Sequence, residues 1–70
     1  MNSAQLAKSK RLQRVLSVLS DREPHTTMEL IIRANVCAVN SIVSELRDNG
    51  LDIRCQRQGD RWSYQWVPRA

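Results

Sequence analysis

Gly50 marks a change of hydrophobic period in a chain of only 70 residues. Upstream of it apolar side chains recur at helical spacing; downstream they alternate, so helices from the first part must pack against a ribbon made by the last. Leu51, Ile53 and Cys55 alternate with Asp52, Arg54 and Gln56. After Gln58-Gly59-Asp60, Trp62, Tyr64 and Trp66 share one face and Ser63 and Gln65 the other. This predicts two antiparallel strands and a tight turn over about 51–67. A lone hairpin is marginal in water, so its aromatic face must lie on the helices, and in a chain without Phe the expected anchor is Trp62 or Trp66.

Before Gly50 the spacing predicts three helices. Leu12, Val15, Leu16 and Leu19 fall at i, i+3, i+4 and i+7, the stripe of an amphipathic helix over about 3–20, with Leu6 extending it and Ser3 as its cap. Pro24 ends the polar link Asp21-Arg22-Glu23-Pro24 and forbids the helix to continue. Thr26-Thr27-Met28-Glu29 has the spacing of a capping box, which opens a second helix over about 27–34. Asn35 tolerates left-handed backbone and is the expected turn. Val36 then enters the core. A third helix follows over about 37–49, with Val39, Val43 and Leu46 inward, Ile42 beside them, and Gly50 as its stop. Its start stays open between Asn35 and Cys37 as cap. The fold class expected is α+β, three helices followed by a two-stranded antiparallel ribbon, in one domain spanning 1–70 with no internal repeat.

A core this small nets about 3–5 kcal/mol without a staple. Cys37 and Cys55 form no Cys-x-x-Cys pair, and with a single histidine they support neither a zinc cluster nor a disulfide framework; no metal or cofactor is expected. Both cysteines read as buried or half-buried small apolar residues. No signal-peptide pattern opens the chain and no run approaches the ~20 apolar residues of a membrane span, so the expectation is a soluble cytoplasmic protein without a membrane partner. Catalysis has no support: His25, just before the cap of the second helix, reads as a surface or capping-loop residue, and Gly50 and Gly59 cannot build a phosphate loop. The expectation is a protein that is not an enzyme.

Eleven Lys and Arg against seven Asp and Glu give a formal charge of +4 and a pI near 9.8, a balance suited to polyanions. Lys8, Lys10, Arg11 and Arg14 gather near the start, while Arg54, Arg57 and Arg61 bracket the turn near the end. Asn40, Ser41 and Ser44 fall on the outward side of the third helix, with Cys37 and Ala38 at its start. Asn can pair bidentately with adenine, worth about 1–3 kcal/mol of discrimination, but no Arg occupies the first two turns, so base readout by this helix should be modest. Glu45 and Asp48 should face away from phosphates.

The runs His25-Thr26-Thr27-Met28-Glu29 and Ser44-Glu45-Leu46-Arg47-Asp48-Asn49-Gly50-Leu51-Asp52-Ile53 resemble the winged helix-turn-helix domains of bacterial and phage DNA-binding proteins, including the N-terminal domain of the biotin operon repressor. The similarity spans His25 to Val67, and its most family-specific part is Leu-Arg-x-x-Gly-x-x-Ile. One departure is Cys37, where relatives usually cap the recognition helix with Ser or Thr. The resemblance implies double-stranded DNA as partner. Cys37, Ala38, Asn40, Ser41 and Ser44 would sit on the recognition helix, and Arg54, Arg57 and Arg61 on a wing touching phosphates or the minor groove. Lys8, Lys10, Arg11 and Arg14 would add secondary backbone contacts. It implies a transcriptional regulator or a phage or mobile-element accessory factor such as an excision factor. Burying only about 600–1,000 Å² on DNA, such a domain needs a homodimer or cooperative neighbours for useful affinity. The competing expectation is a protein partner, the same fold serving as adaptor or inhibitor.

Overall fold

A computed structural model of the chain describes residue 5 and residues 8–67. Three helices, α1 (Lys10–Leu19), α2 (Thr27–Ala34) and α3 (Val39–Asp48), pack on a sheet of β1 (His25–Thr26), β2 (Ile53–Gln58) and β3 (Arg61–Trp66). The class is α+β, as the period change at Gly50 requires. The ribbon, however, is not two-stranded: the sheet has three antiparallel strands in the order β1-β3-β2. His25 pairs with Tyr64 and Thr26 with Ser63. A two-residue strand is too short to have a period, which is why patterning misses it.

Each helix is closed by local chemistry. Ser9 caps α1, its extended backbone and its hydroxyl accepting from the Leu12 amide at 3.4 Å, so the helix opens at Lys10 and not near residue 3. Ser3 and Leu6 lie outside the described residues. The Thr26 hydroxyl accepts from the Glu29 amide at 3.1 Å, the first half of the capping box. Asn35 closes α2 at φ 54° and ψ 53°, the left-handed turn its side chain tolerates. Ala38 also sits left-handed, at φ 50°, and α3 begins one residue later without a side-chain cap, so neither Asn35 nor Cys37 is its cap. Asn49 then closes α3 and Gly50 follows at φ +90°, a conformation that costs glycine least.

Leu12, Val15, Leu19, Leu30, Ile42, Val43 and Leu46 are the largest fully buried side chains, each worth about 1.5–3 kcal/mol of burial. Val36, Leu16, Leu51 and Trp66 pack on them from the edge. From the hairpin the anchor is Tyr64, 5% exposed, rather than a tryptophan; Trp62 is 48% exposed and Trp66 half-buried beneath the Arg22 guanidinium, 3.6 Å from its ring. All three share one face, but the middle rung alone lies squarely over the helices while Trp62 sits near the tip. Cys37 and Cys55 are both exposed, contrary to the sequence expectation, because one precedes α3 and the other lies on edge strand β2. Among the described residues, no helix is long and apolar enough to cross a membrane.

Candidate nucleic-acid interface

Leu-Arg-x-x-Gly-x-x-Ile is a structural joint in this molecule. Leu46 is fully buried, and the Arg47 guanidinium donates twice to the Ile53 carbonyl, at 2.9 and 2.7 Å. Gly50 makes the turn and Ile53 enters the core. The joint fixes the start of the hairpin against the end of α3.

That outer face presents Asn40, Ser41 and Ser44, all exposed, preceded by exposed Cys37 and Ala38. Asn40 is not idle. Its Oδ1 accepts from the Tyr64 hydroxyl at 2.7 Å, tying α3 to the sheet. A bidentate adenine contact needs that oxygen as acceptor for the base amino group. The tyrosine takes one of the two lone pairs of that oxygen and fixes the side chain's direction, which leaves the amide donors as its freer groups. Glu45, the acid next along the helix, is turned toward α1, where Arg11 Nη2 donates to both its oxygens at 2.9 and 3.1 Å.

The hairpin arginines do not share one face. Facing residues in the β2–β3 register pair Arg57 with Trp62, on the side of buried Ile53 and Tyr64, whereas Arg54 faces Gln65 and Arg61 faces Gln58 on the opposite side. Arg57 donates from Nε to the Gly59 carbonyl at 2.7 Å and lies 5.6 Å over the Trp62 ring, which holds its guanidinium at the tip. Arg54 leans on Asp52 at 3.4 Å, an exposed pair that water weakens. The Arg61 side chain makes no hydrogen bond or ion pair with another described residue. Gly59, at φ +64° in the first place of the two-residue turn, gives the hairpin the twist its strands need.

The N-terminal cations divide. Arg11 is held by Glu45, and Arg14 donates from Nε to the Ala34 carbonyl at 2.9 Å, satisfying the end of α2. Both border an open groove of 480 Å³ beside the turn before α3, lined also by Val36, Cys37 and Ala38. Lys8 and Lys10 are exposed and make no ion pair with a described residue. Of the expected secondary set, two are therefore bound up in the fold itself.

His25 immediately precedes the Thr26 cap of α2, as a capping-loop residue would, but it is not a surface residue. It is 4% exposed, because its strand position points it inward. Its Nε2 lies 2.9 Å from both Asp21 oxygens, and its Nδ1 2.8 Å from Glu29 Oε2, out of line for a directed hydrogen bond. Burial opposes the imidazolium, but the two carboxylates outweigh it and hold the ring above its ordinary value. Asp21 is drawn below its own by the Glu23 amide and by His25, and Glu29 chiefly by His25. Two acids four residues either side of His25 were the available signal. Tyr64 is pushed up, chiefly by burial.

Compared with protein-family models, curated proteins and solved structures, the chain gives no match, so a functional reading rests on this geometry.

Proposed function

We propose that the chain is a winged helix-turn-helix that binds double-stranded DNA, with α3 as recognition helix and the β2–β3 hairpin as wing, serving in transcription regulation or as an accessory factor of a phage or mobile element. The observation that carries the reading is a joint between two surfaces. The Arg47 clamp holds a neutral polar helix face, Asn40, Ser41 and Ser44, beside a hairpin whose tip carries Arg57. The left-handed turn at Asn35 between α2 and α3 and the short strand ahead of α2 are consistent with such a domain. Two of the local acids are offset, Glu45 by Arg11 and Asp52 by Arg54, and the chain as a whole carries a formal +4 that attracts a polyanion.

In this reading Ser41 and Ser44 donate to bases or phosphates, Asn40 donates through its amide, and Arg54 and Arg57 neutralise phosphates. Affinity is then mainly electrostatic and discrimination between sequences low. Fluorescence anisotropy on a random duplex across a salt series tests this. Binding should weaken steeply with salt, and Arg57→Ala should flatten the log–log slope by about 0.9, the value for one phosphate. A protein that ignores duplex DNA at low salt, or an Arg57→Ala variant with an unchanged slope, refutes the reading. A role in protein contacts is favoured by a separate feature, an exposed apolar groove beside α2.

A further inference from the structure

β1 stops at Thr26 and covers only part of the outer edge of β3, which runs on through Trp62, whose carbonyl accepts only a long bond from the Thr27 hydroxyl at 3.5 Å, to Arg61. Beside that edge α2 begins, and between them opens a groove of 770 Å³, floored by Met28, Ile32 and Trp62 and rimmed by Asp60 and Arg61. Its floor is unusual for a small water-facing domain: Ile32 is 70% exposed, Met28 63% and Trp62 48%, and Met28 and Ile32 form one stripe at i, i+4 along the helix. A contiguous apolar patch with a polar rim marks an interaction surface.

We propose that this groove is where two copies of the chain pair about a twofold axis. The rim charges select that occupant. Glu29 and Arg33 already neutralise each other at 3.1 Å. Asp60 and Arg61 remain, neighbours of opposite sign, neither side chain with a hydrogen bond or ion pair to another described residue. An acidic partner, nucleic acid included, meets Asp60 with repulsion, and a basic one meets Arg61. A second copy satisfies both, since a twofold whose axis passes between Asp60 and Arg61 puts the patch against itself and sets Arg61 of one protomer toward Asp60 of its partner and the reverse. Two Met28–Ile32 stripes then cross over the two Trp62 rings, burying the apolar floor on both sides.

The inference does not rest on DNA binding; it takes Arg61 for the pairing and leaves Arg54 and Arg57 to phosphates. Sedimentation velocity on the full chain without DNA, over a concentration series, tests it. Wild type should show a monomer–dimer equilibrium. Ile32→Ser, at a position too exposed to support the core, should weaken it about tenfold or more, a change of about 1.4 kcal/mol per decade, with an unaltered far-UV spectrum. Asp60→Arg and Arg61→Asp should each weaken pairing by putting like charges across the axis, and the double exchange Asp60→Arg/Arg61→Asp should restore it. A chain that remains monomeric at every concentration, a dimer indifferent to Ile32→Ser, or a double exchange that fails to recover overturns the proposal. Capture of a different protein by the groove in a monomeric chain overturns it equally.

Discussion

The bond between the Tyr64 hydroxyl and Asn40 Oδ1, 2.7 Å long, offers a test in which the two partners should behave unequally. Tyr64→Phe keeps the buried ring and deletes the donor. Asn40 is exposed, so water replaces the lost partner, and the cost should fall at the lower end for a neutral hydrogen bond, about 0.5–1 kcal/mol. In a domain of this size that is a fall in Tm of roughly 2–8 °C. Asn40→Ala deletes the acceptor and strands a hydroxyl on a residue only 5% exposed. Leaving a buried donor without its partner costs more, about 1–2 kcal/mol here because Thr27 and Cys55 also stand near the hydroxyl. The double variant removes both groups and should be less destabilised than the two single losses added, by about 0.5–1 kcal/mol. Urea unfolding of the four proteins followed by circular dichroism measures this. Losses that add to within about 0.3 kcal/mol would show that the two groups do not couple, and the strut between helix and sheet would have to be abandoned. The same variants separate strut from reader on DNA. If Asn40 only braces the fold, Tyr64→Phe and Asn40→Ala leave affinity alike. If it contacts bases, Tyr64→Phe frees Oδ1 and binding holds or tightens while Asn40→Ala weakens it.

The His25 cluster makes stability depend on pH in a definite sense. His25 is held above its ordinary 6.5, so its contribution is complete below that value and is lost as pH rises through the folded pKa; Asp21 and Glu29 are held below 3.8 and 4.5, so theirs is present above those values and lost as pH falls. Tm should therefore peak between about pH 4.5 and 6.5, and His25→Leu should flatten the alkaline limb, as a thermal melt series would reveal; an unchanged limb counts against the cluster. Arg47→Ala strips two charge-assisted bonds from the Ile53 carbonyl and should lower stability by about 1.5–3 kcal/mol with the urea m-value unchanged, whereas Arg47→Lys, which cannot fork, should recover only part. Leu46→Ala, at a fully buried site, should cost about 2–5 kcal/mol, most or all of the stability of a domain holding about 3–5, and shift the urea midpoint sharply down.

The helices and their boundaries were legible where a residue type has one strong local use. Thr26 with Glu29, Asn35 and Gly50 each imposed a cap, a left-handed turn or a stop, and all three act as such. Features with no local chemistry were not legible. Ala38 takes left-handed backbone although alanine gives no sign of it. β1 has two residues and no pattern. The tryptophans illustrate a subtler failure: alternation assigns a face but not a position along the strand, and depth under the helices decides burial. Tyr64, on the middle rung, wins over both larger rings.

For the candidate site the same logic cuts deeper, because proximity in sequence stood in for proximity in space. Arg54, Arg57 and Arg61 look like one cluster around a turn, yet pairing register puts Arg57 on one face and the other two on the opposite face. Arg11 and Arg14 look like free cations on a first helix, yet one neutralises Glu45 and the other closes α2. A tally of basic residues therefore overstates the charge a ligand can use and mistakes where it lies. Arg11 nonetheless serves the proposed interface indirectly: by holding Glu45 it keeps a carboxylate from projecting beside Ser41 and Ser44. Arg11→Ala should accordingly weaken DNA binding, freeing a negative charge next to the helix face, although its guanidinium needs no phosphate of its own. Glu45→Gln in the same background removes that charge and should restore affinity; failure to restore it would mean that Arg11 itself touches the backbone.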